Sequence, residues 1–401
     1  MNNFNKQIYD LYINNRRWVG EKSYTIPSPE TYPYQWFWDS CFHAITLLNL
    51  GQYDRALDEL DLLVTNKTDT DFIPHILFHE EQPEPTEPHF YNWGTRGGSS
   101  IIQPLLLAQV LLRILRLVGN NKRIEKIFKA YQTHLKYLVD SRLDPELDLF
   151  IIINPDESGL DNLPSYDKVL GLEPDHSISA HLARRFKLVD SWRQAGFNIS
   201  SMKDKFYVAD VLFNTVAIGE FRAAKILAQE FNIKNDYSDV VSGLENGYQN
   251  NLMTKNGAYN LSMVDGTWDQ DRVITWTALL PTWLQILESN QAKSILTNLL
   301  RSECLLGNYG VRTVSAIDRS YDPEPTKFIG GFWRGPVWHV SNWFIYHGLM
   351  NYGYCEIATS LKEASLDAIG SAGFRECYSP ESGIGYGAKN FTWAGLIIDM
   401  K

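Results

Sequence analysis

Apolar residues recur along most of the chain at the spacing of amphipathic helices. One such face carries Ile124, Ile127, Phe128, Tyr131, Leu135, Leu138 and Val139. This i, i+3, i+4, i+7 spacing predicts a helix with one side turned towards a core. Comparable stretches predict further helices near residues 3–16, 38–50, 53–65, 101–118, 174–195, 203–231, 236–252, 270–288, 290–303, 335–350 and 355–371.

The predicted helices are of two kinds that follow one another along the chain. Residues 104–119 are apolar on nearly every side, which is typical of a helix buried all round, whereas residues 122–140 carry a charged outer face. About six helices of each kind, joined by short Gly, Asn or Asp connections, predict a toroid of helical hairpins. Strand signals are confined to short runs at 149–153 and 259–264, which predict small β-hairpins. One domain over residues 1–401 is the simplest interpretation.

Composition and charge exclude several classes of function. The chain has 401 residues and a net charge of -10, which argues against a nucleic-acid partner. Its four cysteines are far apart and form no CxxC pair, so neither a zinc site nor a disulfide framework is indicated. The first residues are polar, without the apolar core of a signal peptide, and no apolar run could span a bilayer. We therefore expect a cytoplasmic protein with no membrane partner, and its oligomeric state stays open.

Long segments between the predicted helices hold most of the Gly, Pro and Trp. They cover residues 66–100, 142–173, 254–269, 305–334 and 372–393, and the Pro- and Glu-rich residues 80–88 within the first predict an exposed loop. Loops of this length in a compact domain are uncommon and usually functional. Candidate chemistry is therefore expected on these loops.

Two of these loops carry carboxylates in unusual settings. Asp156, Glu157 and Asp161 fall close together in a loop that contains Pro and Gly, although such residues often only cap helices or meet solvent. Glu376 lies among aromatic residues ahead of a glycine-rich turn, where desolvation could raise the pKa of a carboxyl group. The alternative for Glu376 is an ordinary surface glutamate. Neither segment decides between these interpretations by itself.

Tryptophans at loop–helix junctions indicate a binding function. Trp36 and Trp38 precede Asp39, and Trp333 and Trp338 enclose a Trp-Arg-Gly-Pro-Val-Trp run. Tryptophan in a large protein is usually core, but its ring also stacks on the apolar face of a sugar while neighbouring polar groups bind the hydroxyls. Paired carboxylates with such platforms point to glycoside hydrolysis.

Other chemistries have less support in the sequence. No GxGxxG, GxxxxGK[ST], HExxH or GxSxG motif occurs. His75 and His79 lie four residues apart and could hold a metal on a helix, but no third ligand is evident, so we favour a structural role. A sugar isomerase or epimerase on the same toroid would need two central histidines, for which His176 and His339 are the plausible pair. A non-catalytic sugar-binding protein would keep the tryptophans but need neither carboxylate.

Taken together and in order, the motifs resemble those of glycoside hydrolase family 63. They are Gln35-Trp36-x-Trp38-Asp39, Ile73-Pro74-His75, Gln103-Pro104, Glu157-Ser158-Gly159-Leu160-Asp161-Asn162, Trp333-Arg334-Gly335-Pro336-Val337-Trp338, Phe374-x-Glu376-x-Tyr378-x-Pro380-x-x-Gly383 and Phe391-Thr392-Trp393. This family comprises inverting α-glycosidases with an (α/α)6 toroid, and trehalases resemble the chain more distantly. The helical pattern starts at residue 3, without an N-terminal β-sandwich. This form looks most like the compact bacterial mannosylglycerate and glucosylglycerate hydrolases.

The resemblance implies an all-α (α/α)6 toroid with long active-site loops, and it implies roles for particular residues. Asp161 matches the general acid and Glu376 the general base. The expected sugar-binding residues are Gln35, Trp36, Trp38, Asp39, Gln103, Trp333, Arg334, Trp338 and Trp393. The expected activity is inverting exo-hydrolysis of a small α-glucoside or α-mannoside, without cofactor or metal, by carboxyl groups about 6.5–9.5 Å apart. A charged aglycone such as glycerate would be held by a loop arginine, Arg96 or Arg319.

Two departures from the family pattern affect the aglycone. The compact relatives usually have an arginine in the segment that follows the acid, where this chain has Leu163-Pro164-Ser165-Tyr166-Asp167. The residue after the base is commonly aromatic and is Cys377 here. Because both carboxylates are retained, the reaction is expected to be unaffected, whereas the aglycone preference stays open.

Overall fold

The structure, a computed structural model, describes residues 3–66, 68, 70–79, 96–325 and 333–401. Its α-helices, in chain order, are α1 (Asn3–Asn14), α2 (Phe37–Asn49), α3 (Tyr53–Thr65), α4 (Leu107–Val118), α5 (Lys122–Ser141), α6 (Asp167–Leu170), α7 (Ile178–Gln194), α8 (Val211–Glu230), α9 (Ser238–Gly247), α10 (Pro281–Leu284), α11 (Ser289–Leu299), α12 (His339–Asn351) and α13 (Cys355–Ala372). Within these ranges, no helix is long and apolar enough to cross a membrane.

The strands are short and pair mostly as isolated antiparallel hairpins. They are β1 (Arg16–Val19), β2 (Lys22–Thr25), β3 (Gln35–Trp36), β4 (Ile76–Leu77), β5 (Leu143–Asp144), β6 (Leu149–Phe150), β7 (Val208–Ala209), β8 (Met253–Thr254), β9 (Gly257–Ala258), β10 (Leu261–Val264), β11 (Thr267–Gln270), β12 (Leu306–Gly307), β13 (Gly310–Val311), β14 (Arg375–Tyr378) and β15 (Gly385–Lys389). Both predicted strand runs are confirmed, since β6 starts at Leu149 and β10 pairs with β11.

The chain divides into two compact units, each built from two chain segments. The first unit comprises residues 1–150 and 216–247, and the second comprises residues 151–215 and 248–401. The sequence-based expectation of one domain over the whole chain stays a prediction.

Each unit contains the predicted pairing of a buried helix with a half-exposed one. In the first unit, α2 is buried from Phe37 to Leu48 and packs against the amphipathic α3. In the second unit, α12 is buried over most of its length and packs against α13, whose outer face is polar. A helix that is apolar all round must be covered on every side, and this explains why the two kinds alternate in sequence.

The helix predicted over residues 270–288 is wrong for most of its length. Gln270 pairs with Leu261 in the β10–β11 hairpin, a short 3-10 turn follows at Trp276–Leu279, and Pro281 starts the four-residue α10. The apolar residues here are buried, as predicted, but periodicity cannot distinguish a buried turn from a buried helix. Two further helices begin later than predicted, α4 at residue 107 and α8 at residue 211.

A buried carboxylate joins two helical segments within the first unit. Glu220 on α8 accepts hydrogen bonds from the backbone N–H groups of Ala108 at 2.6 Å and Gln109 at 3.1 Å, in the first turn of α4. These N–H groups have no partner within α4, so Glu220 caps it from another helix. Gly219 leaves room for the end of the Gln109 side chain, whose Oε1 would lie 2.9 Å from a Cβ at that position. Burial raises the pKa of Glu220 to about 7.

This capping carboxylate predicts a pH-dependent stability. The folded-state pKa of Glu220 lies above the unfolded value, so its ionisation should lower the free energy of unfolding as pH rises from about 4.5 to about 7. We expect Glu220→Gln to remove up to about 3 kcal/mol of this decline. Urea unfolding of both proteins between pH 5 and 8 measures it, with Glu245→Gln as control. Parallel curves for wild type and Glu220→Gln would contradict the assignment.

Candidate active site

The loop that carries Asp161 is built around a 3-10 turn at Pro155–Ser158 in the second unit. The side chain of Asn154 caps this turn by accepting the N–H of Asp156 at 3.0 Å. Gly159 ends it with a left-handed φ of 71°. Glu157 is fully buried and accepts the N–H of Ile153 at 2.8 Å. Of the three carboxylates that the sequence singled out, Glu157 therefore supports the loop, and Asp156 and Asp161 remain for other contacts.

Asp161 and Asp156 share one arginine from helix α7. Arg185 donates from Nη1 to Oδ2 of Asp161 at 2.7 Å, and from Nε to Oδ2 of Asp156 at 3.0 Å. Its Nη2 donates to the other oxygen of Asp156. The Asp161 side chain is 27% exposed and that of Arg185 is 10% exposed. Burial raises the pKa of Asp161, Arg185 opposes this shift, and Asp156 adds to it.

Glu376 lies on β14 and is held by the neighbouring strand. It is 4% exposed, and its Oε2 accepts the N–H of Ala388 on β15 at 2.7 Å. The pairing of the two strands is irregular between Arg375 and Cys377, so the hairpin bulges at Glu376. Gly387 has a φ of +66°, and a Cβ there would lie 2.2 Å from Oε2 of Glu376. The carboxylate thus occupies space that only glycine leaves open.

One backbone segment, residues 333–338, bonds to both carboxylate-bearing segments. At one end, the N–H of Trp333 donates to Oδ1 of Asn162, the residue after Asp161, at 3.2 Å. Towards the other end, Val337 and Tyr378 exchange backbone hydrogen bonds of 2.8 and 2.9 Å, two residues after Glu376. The structure therefore brings the loop of Asp161 and the strand of Glu376 to the same short segment.

The tryptophans of this region pack on one another. The rings of Trp333 and Trp338 are stacked 4.0 Å apart at 5°, and Trp393 lies 5.3 Å from Trp338. These rings are 2%, 4% and 5% exposed, respectively. Phe391 completes the group at 5.1 Å from Trp393. Most of each ring surface is thus covered by the cluster, and a sugar could reach only what the cluster leaves open.

Arg334 is bound to a carboxylate of the protein. Its Nη1 and Nη2 donate to the two oxygens of Asp167 at 3.0 and 2.5 Å, and its side chain is 1% exposed. Burial raises the pKa of Asp167, and Arg334 opposes that shift. The Nε of Arg334 is buried without a hydrogen-bond partner. The guanidinium is therefore largely committed to this ion pair.

The remaining predicted sugar-binding residues lie in the first unit. Gln35 and Trp36 form β3, and Trp38 and Asp39 are buried in the first turn of α2. Gln103 joins them, because its Oε1 accepts the N–H of Trp38 at 3.1 Å. The structure thus brings these five residues together.

Gln35 makes several contacts within the protein. Its Nε2 donates to Oγ of Ser40 at 3.0 Å and to the carbonyl of Glu59 at 2.9 Å. Its Oε1 lies 2.6 Å from Nε2 of His79. These contacts orient β3, and through it the neighbouring Trp36.

The two candidate arginines for an aglycone are both exposed. Arg96 borders a stretch that lies outside the described residues, and Arg319 follows Asp318 in the loop after β13. The predicted exposed loop at residues 80–88 also lies outside the described residues.

The four histidines considered from the sequence are buried or partly buried. The segment of His75 and His79 forms β4, not a helix, and Nδ1 of His75 lies 2.5 Å from Oγ of Ser99. Nδ1 of His176 lies 3.8 Å from Oδ1 of Asp167. His339 is 1% exposed, and burial lowers its pKa to about 3, which makes it a poor base. In the described ranges, no group of three or more His, Cys, Asp or Glu could hold a metal ion.

Arg185 is the residue of this site that the sequence analysis missed. A usable signal was present, because His181, Leu188, Val189 and Trp192 define the buried face of α7. Arg185 falls on that face, four residues after His181. A charge inside an apolar stripe needs a buried partner. This requirement distinguishes Arg185 from the neighbouring Arg184, which is exposed.

Comparisons with known proteins agree on one family. A family model described as the mannosylglycerate hydrolase MGH1-like glycoside hydrolase domain matches residues 32–394. The chain is 27% identical to a mannosylglycerate hydrolase of Thermus thermophilus, over 94% of this chain and 95% of that protein. It is 24% identical to a glucosylglycerate hydrolase of Mycolicibacterium hassiacum, over 94% and 93%. A crystal structure of a GH63 mannosylglycerate hydrolase of Thermus thermophilus with Tris is similar with a TM-score of 0.85, 25% identity and 99% coverage of both chains.

The position of Glu376 should depend on the glycine opposite it. We expect Gly387→Ala to displace the Glu376 carboxylate, because a methyl group would occupy its place. Gly353→Ala is the matched control, since Gly353 has a φ of +79° but no atom within 4 Å of the added Cβ. The control should lose about 1–2 kcal/mol of unfolding free energy, and Gly387→Ala roughly 1 kcal/mol more. Urea unfolding and a crystal structure of the variant measure this; equal losses with Glu376 unmoved would refute it.

Proposed function

The chain belongs to the mannosylglycerate hydrolase MGH1-like glycoside hydrolase family, and from this premise we propose that it cleaves a small α-mannoside or α-glucoside with inversion, Asp161 acting as general acid and Glu376 as general base. The resemblance read from the sequence motifs is confirmed, as is the fold class, an all-α (α/α)6 toroid with small β-hairpins. The protein is a glycoside hydrolase that acts on small glycosides.

The observation that carries the proposed mechanism is the 333–338 segment. Inversion needs two carboxyl groups on opposite sides of one sugar, with room for a water beside the base. Hydrogen bonds from Trp333 to Asn162 and between Val337 and Tyr378 tie the loop of Asp161 and the strand of Glu376 to one segment. The predicted separation of about 6.5–9.5 Å between the carboxyl groups belongs to this proposal.

The proposed roles of Asp161 and Glu376 require opposite ionisation states, and one observation supports each role. Asp161 must hold a proton until the glycosidic oxygen takes it, and burial shifts its pKa in that direction. Glu376 must stay ionised to take a proton from water. The N–H of Ala388, which donates to it, stabilises an ionised carboxylate. Neither a cofactor nor a metal takes part in the proposed reaction.

The substrate we propose is mannosylglycerate or glucosylglycerate, on the strength of the two relatives that carry those names. The tryptophans Trp333, Trp338 and Trp393 of the second unit would line the sugar subsite. The family resemblance assigns sugar-binding roles also to Gln35, Trp36, Trp38, Asp39 and Gln103, which lie in the first unit. Arg334 would support the subsite by holding Asp167 in place, because its guanidinium is already paired with that carboxylate. An aglycone carboxylate suits a guanidinium partner, and the exposed Arg96 and Arg319 are the candidates.

The two carboxylates should respond differently to substitution. Asp161→Asn should lose at least about 100-fold in kcat on an ordinary glycoside. It should keep much of its rate on a glycosyl fluoride, whose leaving group needs little protonation. Glu376→Gln should lose activity on both, because no base remains to activate water. Proton NMR of the first product from an α-linked substrate should show the β-anomer. If the α-anomer forms first, or Glu376→Gln turns over normally, the proposed mechanism is wrong.

Substrate preference should follow the charge of the aglycone. We expect both glycosylglycerates to be hydrolysed with higher kcat/KM than neutral α-linked disaccharides or long α-glucans. A panel that assays free hexose tests this, with the methyl esters of the same glycosylglycerates as uncharged controls. Arg96→Met and Arg319→Met should be compared singly. Replacement of the arginine that binds the aglycone should raise KM for the acid but not for the ester. Faster turnover of neutral disaccharides would refute the charged aglycone.

A further inference from the structure

Asp161 belongs to a group of three charges that ranges from buried to partly exposed. Arg185 bonds to Asp156 through Nε and Nη2 and to Asp161 through Nη1 alone. The side chains of Arg185 and Asp156 are 10% and 15% exposed. Asp156 therefore forms a bidentate contact with Arg185, and Asp161 accepts one hydrogen bond from Nη1. A direct pair with arginine normally keeps a carboxylate ionised. The division of donors therefore matters, because Asp161 receives only one of the three hydrogen bonds from Arg185.

The charge balance of the group favours a proton on Asp161. With both carboxylates ionised, the three side chains carry a net charge of -1 around an arginine that is only 10% exposed. A proton on Asp161 leaves the Asp156–Arg185 pair, which is neutral and doubly hydrogen-bonded. Without Asp156, the balance would reverse: ionised Asp161 would neutralise Arg185, and a proton on it would leave a buried cation unpaired, which is costly.

We propose that Asp156 and Arg185 are positioning residues that keep Asp161 protonated for its acid role, because Asp156 occupies the guanidinium that would otherwise hold Asp161 ionised. This inference rests on the proposed function of Asp161. It adds a role for Asp156, which contacts neither the sugar nor the reacting bond in the mechanism above.

The other charged groups nearby leave this balance unchanged. His181 is fully buried one turn before Arg185 on α7, and burial lowers its pKa to about 2, so it stays neutral in the working pH range. His176 stacks on His181 at 5.4 Å, on the side of the Arg334–Asp167 pair. That pair is itself electrically neutral. Glu157, in the same turn as Asp156, points to the N–H of Ile153.

The test is the pH profile of kcat/KM on an α-linked glycosylglycerate, whose basic limb reports the ionisation of the acid. Asp156→Asn should move this limb to a pH lower by about 1–3 units. At pH values above the new limb, kcat/KM should fall about tenfold per pH unit. Arg185→Gln should move the limb up, because Asp161 then faces only another carboxylate. Asp156→Glu keeps the charge and should restore a limb close to that of wild type.

Two controls separate this role from a structural one. Asp204→Asn makes the same chemical change at an exposed carboxylate of the second unit and should leave the profile unchanged. Glycosyl fluoride needs little help from the acid, so its profile should not move in Asp156→Asn. A merely structural role for Asp156 would lower the rate at every pH and on both substrates, without moving the limb.

A measurement without turnover distinguishes failure of this inference from failure of the proposed function. We consider the difference in unfolding free energy, wild type minus Asp161→Asn. This difference should fall with rising pH and level off at the folded-state pKa of Asp161. In the Asp156→Asn background, this levelling should occur at lower pH. If wild type hydrolyses no glycoside, the proposed function fails, and this shift still decides the inference. An unmoved levelling point, or limbs that move in the same direction in Asp156→Asn and Arg185→Gln, would overturn it.

Discussion

The site depends on the backbone hydrogen bonds of residues 333–338. Buried N–H and C=O groups must find partners, and in this segment those partners include Asn162 and Tyr378. The requirement for satisfied backbone groups therefore ties together two loops that are more than 200 residues apart in sequence, each with its carboxylate nearby. The stacked rings of Trp333 and Trp338 stiffen the same segment, because neither ring can turn without displacing the other.

Buried charges recur in this protein, and their partners show what each one does. Glu220 caps a helix, Glu59 accepts the N–H of Thr25, and Arg334 forms a two-pronged pair with Asp167. Such arrangements offset the cost of removing a charge from water and leave little capacity for a ligand. The group around Arg185 differs, because it holds one carboxylate more than its guanidinium can neutralise. That surplus charge coincides with the residue for which the family pattern implies a protonated state.

Sequence reasoning succeeded where a single local property decided the outcome. An all-round apolar helix such as α2 has to be covered, so the alternation of buried and half-exposed helices could be read directly. It failed over residues 270–288, where the apolar residues are buried in a strand and turns. Burial was predicted correctly there, but the backbone pairs with other segments, Gln270 with Leu261 and Thr275 with Val314. Pairing partners of this kind leave no trace in helical periodicity.

The sequence by itself determined the helical class and the family, because periodic burial and ordered motifs are properties of the chain alone. Only the tertiary structure decided how the polar side chains are used. It commits Gln35 to Ser40 and Glu59, pairs Arg334 with Asp167, and directs Arg185 to Asp161 from a helix where Arg184 is exposed. A hydrogen bond requires an approach to about 3 Å. Such distances between remote segments arise from packing, and residue spacing along the chain does not encode them.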